Sequence, residues 1–213
     1  MSEELFTACE EGNFEKVKAL IVFEKTITAR KGYGENIINV SARNGHLKIL
    51  KLLIESYPLY QDFATTISIA SGQGQLEVVK YLVETVKYNL EQSNWHDDSH
   101  CIDICEHPLC CAVENGHIEL VKYFIENGVE NDHVIKIASY FGRLNIIEYL
   151  VENGCKLVPQ CFDNAVKNGQ FQIIEYIVKN GVIGNLDLGI RNAIIILVQG
   201  NKFISLNIVA LFE

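Results

Sequence analysis

The stretch from His96 to His107 gathers residue types that bind transition metals: His96, His100, Cys101, Cys105 and His107, beside Asp97, Asp98 and Asp103. Zinc takes tetrahedral sets of cysteine and histidine. The spacing, however, is not a Cys-x2-Cys pair matched by a second pair, and the adjacent His100 and Cys101 do not easily turn to one ion. Structural or incidental use is the simpler reading, and a metal site is the alternative. Nucleophilic catalysis would need a nucleophile, a base and an orienting group brought together. Cys110, Cys111 and Cys161 fall where short helices are expected and read as small core thiols, as does Cys9 beside Ala8. Gly32-Tyr33-Gly34 resembles a fragment of a phosphate loop but lacks a further glycine and a following Lys-Ser or Lys-Thr. It reads as a turn. No catalytic motif stands out, so neither an enzyme nor a cofactor is expected.

The composition narrows the class further. Of 213 residues, 48 % are apolar and 21 % charged, which is globular and not disordered. The net charge of -9, with basic residues scattered, argues against nucleic acid as a partner. Seven cysteines, an odd number, read as reduced thiols. The acidic start Met1-Ser2-Glu3-Glu4 does not resemble a secretory signal. The longest apolar run, from Ala193 to Val198, is too short to span a bilayer. The expectation is a soluble, intracellular, most simply cytoplasmic protein with no membrane contact.

The elements that must carry these residues come from a repeated phrase: a small residue, three more residues, a glycine, then an amphipathic run. Its copies are Ala8 to Gly12, Ser41 to Gly45, Ala70 to Gly74, Ala112 to Gly116, Ala138 to Gly142 and Ala165 to Gly169. The glycine suits a left-handed turn between two helices, and the small residue lets neighbouring helices approach. In the second run Leu47, Leu50, Leu53 and Ile54 predict one helical face, with Lys48 and Lys51 on the other. Three runs close with Asn-Gly, at Asn127-Gly128, Asn153-Gly154 and Asn180-Gly181, which reads as a helix stop. Pro58, Pro108 and Pro159 each precede a first helix.

At these residues the chain resembles ankyrin repeats. The best single match is His107-Pro108-Leu109-Cys110 followed by CAVENGHIELVKYFIENG, similar to the family's Thr-Pro-Leu-His opening with its Gly-His and Leu-Leu segments. His46 and His117, each after a repeat glycine, match a common family position and read as packing and capping residues. The tone of the repeats also resembles the divergent ankyrin proteins of large DNA viruses of protists, which would place the chain in a host cytoplasm.

The resemblance implies an all-α, ankyrin-type α-solenoid of six or seven stacked helix-turn-helix repeats, forming one domain over 1–213. The repeats are expected at about 5–32, 36–60, 63–88, 107–130, 132–155 and 159–182, with an atypical terminal repeat at 189–213. The glycine steps are 33, 29, 42, 26 and 27 residues, against a family period of about 33. The short last steps imply shortened or missing β-hairpin fingers in the C-terminal half. The long step holds an insertion at about 88–107. The tail ends apolar at Ile208 to Phe212, where a terminal repeat normally needs a polar outer face. It is expected to be weakly ordered from about Leu186, or engaged with a partner.

In the family, the two residues before each repeat glycine tend to face the partner-binding groove. Here these include Arg43-Asn44, Gly72-Gln73, Glu114-Asn115, Tyr140-Phe141 and Lys167-Asn168. Only one pair is aromatic. Tyr140 and Phe141 either anchor a partner or cover core left bare by a missing finger. The candidate partner-binding residues are therefore Tyr140, Phe141, Glu114, Asn115, Arg43, Asn44, Gln73 and Lys167, together with Trp95 of the insertion. The function implied is a protein-interaction scaffold or adaptor. The alternative is a metal-stabilised or redox-sensing module built on 88–107. The chain is expected to be monomeric unless its apolar C-terminal end self-associates.

Overall fold

The computed structural model describes residues 3–23, 36–90, 107–129 and 133–182. They fall into two compact units, divided after Val129. Among the described residues there are twelve α-helices and no β-strand. In the first unit α1 (Glu3–Glu11) pairs with α2 (Phe14–Ile21), α3 (Ile37–Arg43) with α4 (Leu47–Ser56), and α5 (Phe63–Gly72) with α6 (Leu76–Lys80). The last pair of this unit is α7 (Pro108–Asn115) with α8 (Ile118–Glu126). The first helices stack in the order α1, α3, α5, α7. The 91–106 segment thus does not prevent α5 and α7 from packing together. In the second unit α9 (Val134–Tyr140) pairs with α10 (Leu144–Glu152), α11 (Pro159–Lys167) pairs with α12 (Phe171–Lys179), and α9 stacks on α11.

The repeated phrase is a helix-closing device. In every copy the residue after the glycine donates its backbone N–H to the carbonyl of the small residue five positions back: Asn13 to Ala8, His46 to Ser41, Gln75 to Ala70, His117 to Ala112, Arg143 to Ala138 and Gln170 to Ala165. These bonds are 2.8–2.9 Å long. They are the long bond of a Schellman motif, which needs a left-handed residue between the helices. Gly74, at φ +73°, supplies it between α5 and α6. Ala8, Ser41, Ala70, Ala112, Ala138 and Ala165 are fully buried, where a larger side chain would push the stacked first helices apart. Ser41 satisfies its buried hydroxyl by donating to the Ile37 carbonyl at 2.7 Å.

The second helices bury a common face. In α4 it is Ile49, Leu50 and Leu53, in α10 Ile146, Ile147 and Leu150, and in α12 Ile173, Ile174 and Ile177. Each such side chain is worth about 1.5–3 kcal/mol of transfer free energy. The face differs from the one expected for the second run: Leu47 and Ile54 are only half-buried, and Ile49 takes their place. The helix packs on α3 and also on α2, so its buried stripe turns toward both. Pro108 and Pro159 do open α7 and α11 at their first turns. Pro58 instead lies in the linker before Asp62, the residue that caps α5 by accepting from Thr65 N.

Two departures from the regular repeat are local. Helix α6 runs into a single π-helical turn, Tyr81–Thr85, and the chain leaves it through Lys87 at φ +58°. This run lacks the closing Asn-Gly, so a lysine occupies the left-handed position a glycine would take without strain. The linker 57–62 has no strand; in its place the Thr66 hydroxyl donates to Asn39 Oδ1 at 2.7 Å and meets the Tyr60 hydroxyl at 2.7 Å. Thr66 and Asn39 are buried, and this polar trio ties the linker to α3 and α5. The linker at 153–158 likewise has no strand. The expected terminal repeat 189–213, with its apolar tail, and Gly32-Tyr33-Gly34 lie outside the described residues.

Candidate protein-interaction surface

The residues before the repeat glycines sit at the C-terminal ends of first helices, which the Schellman closure aims at solvent. In the first unit Asn44, Gln73, Glu114 and Asn115 are exposed and Arg43 is half-buried. In the second unit Lys167 is exposed, while Tyr140 and Phe141 are both half-buried. The two rings meet edge to face, with centroids 5.0 Å apart and planes at 68°, a geometry favoured by the ring quadrupoles. Each ring therefore keeps part of its surface open to solvent while its neighbour holds it in place.

The asparagines that precede these glycines have a second task that sequence reasoning missed. Asn44 Nδ2 donates to the Val40 carbonyl and Asn115 Nδ2 to the Cys111 carbonyl, both at 2.9 Å. Asn168 does the same to Asn164 at 2.9 Å. Each amide thus adds a side-chain bond at its own helix end, at Val40 and Asn164 to a carbonyl that already accepts the same asparagine's backbone N–H, and leaves its oxygen for other contacts. In the sequence these three asparagines read only as groove-facing positions before a glycine.

At His46, Gln75 and His117 the residue after the glycine proves to be an inter-repeat clamp, whereas Asn13 accepts from Lys16 N of its own helix. His46 Nε2 lies 3.0 Å from the Glu10 carbonyl, and His117 Nε2 lies 3.1 Å from the Gly72 carbonyl. Gln75 Nε2 donates to the Arg43 carbonyl at 3.0 Å. Neither His46 nor His117 makes a side-chain cap bond to its own helix. The capping expected of them is directed instead at the orphan carbonyls of the preceding repeat.

The metal and redox candidates divide. His96, His100, Cys101 and Cys105, with Trp95, lie outside the described residues. His107 is buried and caps α7, its Nδ1 accepting from Leu109 N at 3.1 Å. Among the described residues no group of three or more His, Cys, Asp or Glu could hold a metal ion. Burial pushes the Cys9 thiol up to about 11, only partly offset by a hydrogen bond with Ser41. Burial raises Cys161 too, against lowering contacts that include Val158 and Ser139. Raised thiols are poor nucleophiles at neutral pH. Among the described residues no helix is long and apolar enough to cross a membrane.

Comparison with known proteins bears on the whole array. The family model for ankyrin repeats (3 copies) matches residues 5–94 and 68–161. The crystal structure of the human ASB11 ankyrin repeat domain is similar, with a TM-score of 0.64 at 18 % identity. That match covers 88 % of this chain and 86 % of the other, and at such identity it speaks for the fold alone. Alpha-latrotoxin-Lh1a of Latrodectus hasselti is 36 % identical over 64 residues. The matched stretch is 30 % of this chain but only 4 % of the toxin's length. Ankyrin repeats generally mediate protein–protein interaction and are generally not catalytic. With its repeated small-x3-Gly closure, its stacked helix pairs and the family model matching most of its length, the chain belongs to the ankyrin-repeat family.

Proposed function

We propose that this chain is a protein-binding scaffold or adaptor without catalytic activity, acting as one array over 1–213 and as a monomer. Within the second unit, Tyr140 and Phe141 anchor the partner and Lys167 lies at the rim. Within the first unit Arg43, Asn44, Gln73, Glu114 and Asn115 present a hydrophilic row that orients a partner and tunes its on-rate. The observation that carries this reading is the half-open aromatic pair at a repeat position that is hydrophilic in every other copy. Aromatic anchors dominate interface energies, and truncating one typically costs about 2 kcal/mol or more. The reading extends to a cytoplasmic setting and to kinship with the ankyrin arrays of large DNA viruses of protists, on the divergence of the repeats.

The test is the double variant Tyr140→Ala, Phe141→Ala, compared with wild type for thermal stability and for capture of proteins from the native cell. An unchanged melting temperature with loss of a captured protein supports the anchor. Full capture by a stably folded double variant overturns it. A loss of several kcal/mol of stability overturns it as well, because the rings then serve packing.

A further inference from the structure

Beyond the helix closures at Asn44, Asn115 and Asn168, the three second-helix closures have the same form. Asn127, Asn153 and Asn180 donate their side-chain amides to the carbonyls of Tyr123, Tyr149 and Tyr176, each at 2.8 Å. Each is followed by a glycine with positive φ whose N–H bonds back into the helix: Gly128 to Ile125, Gly154 to Val151 and Gly181 to Val178. Asn-Gly is the dipeptide most prone to spontaneous deamidation, because no Cβ shields the glycine nitrogen. Here both reacting groups are held in hydrogen bonds, so reaction waits on local opening of the helix end.

The closures differ in what lies over them. A Cβ built on Gly128, Gly154 or Gly181 would meet nothing within 4 Å. One built on Gly45 would run into the Gln75 side chain, which is tied to the Arg43 carbonyl. The next repeat thus clamps the Asn44-Gly45 peptide, while the second-helix ends are tied back to their own helices, by bonds that also include Val129 N to Phe124, Cys155 N to Leu150 and Val182 N to Ile177.

We propose that Asn127, Asn153 and Asn180 are modification sites, deamidating spontaneously in the folded protein, while Asn44 is protected by Gln75. On opening, the glycine backbone nitrogen loses its proton to a water-derived base and attacks the asparagine Cγ. The Cγ–N bond to the side-chain amide breaks and ammonia leaves, giving a succinimide. Water opens that ring to aspartate or isoaspartate. No oxidant or reductant is involved. The product can no longer donate to the carbonyl four residues back, and it places a negative charge at the negative end of the helix dipole. Each event therefore loosens the outer end of one repeat.

The experiment is prolonged incubation of the full chain at mildly alkaline pH, followed by proteolysis and mass spectrometry that resolves aspartate and isoaspartate peptides. Conversion at Asn127, Asn153 and Asn180 should exceed that at Asn44 by about fivefold, the ratio expected for an opening cost higher by about 1 kcal/mol. In urea the four sites should convert alike. Gln75→Ala should raise Asn44 toward the other three without moving them. Equal native rates at Asn44 and the other three overturn the proposal in wild-type protein alone. So does a difference that persists in urea, which would place its origin in the flanking sequence.

Discussion

Replacing Gly74 by alanine measures the inter-repeat clamp. Gly74 lies at φ +73°, where an L side chain costs about 1–2 kcal/mol. Its new Cβ would also fall 2.7 Å from His117 Nδ1 and 2.8 Å from Cε1. Those atoms are the far end of a side chain, so the imidazole can swing away. In doing so it gives up the 3.1 Å contact between Nε2 and the Gly72 carbonyl, worth about 1 kcal/mol net. The expected loss for Gly74→Ala is therefore about 2–3 kcal/mol. Gly128→Ala is the control in the same unit: φ is +80° and a Cβ meets nothing within 4 Å. It should lose only the left-handed cost of about 1–2 kcal/mol. The assay is urea unfolding followed by circular dichroism, with Gly74→Ala also made in a His117→Ala background. There its cost should fall to that of Gly128→Ala. Equal losses for the two glycines in the wild-type background, or a Gly74 loss unchanged without His117, would refute the clamp.

Two further outcomes follow from buried polar groups. Burial and the charge of Glu84, 3.2 Å from the hydroxyl, push the Tyr123 phenol from 10.0 up to about 12. The folded state keeps this proton where the unfolded chain has lost it, so the stabilising contribution is complete below pH 10 and is lost as pH rises to about 12. Stability measured against pH should therefore fall less steeply over that window in Tyr123→Phe than in wild type, and parallel curves would count against the assignment. Thr66→Val should cost about 1–3 kcal/mol in chemical denaturation, since it strips the hydroxyl from both Asn39 and Tyr60. A neutral result would mean the trio does not hold the 57–62 linker.

Much of the fold was legible because its defining device is local. The Ala70-to-Gly74 phrase closes a helix through a bond from Gln75 to Ala70, five residues apart, so the residue types that permit it must sit side by side in the sequence. The candidate surface was legible only as positions. Asn44 and Asn115 were named as partner residues from their place before a glycine, and the hydrogen bonds that commit their amide nitrogens to their own helices carry no separate sequence mark. The handover from α6 to a π turn and the left-handed Lys87 show in sequence only as a missing Asn-Gly.

By itself, then, the sequence determined the helix pairs, their closing turns and the family, since periodicity and turn chemistry act over a few residues. Only the tertiary structure decided which side chains reach across repeats. His46 meets Glu10 over 36 positions and His117 meets Gly72 over 45. Such contacts exist because the first helices stack at the distance their buried alanines allow, a distance that no local pattern encodes. The same holds for Tyr140 and Phe141: the chain places two aromatic residues at a helix end, and packing alone leaves their rings half-open.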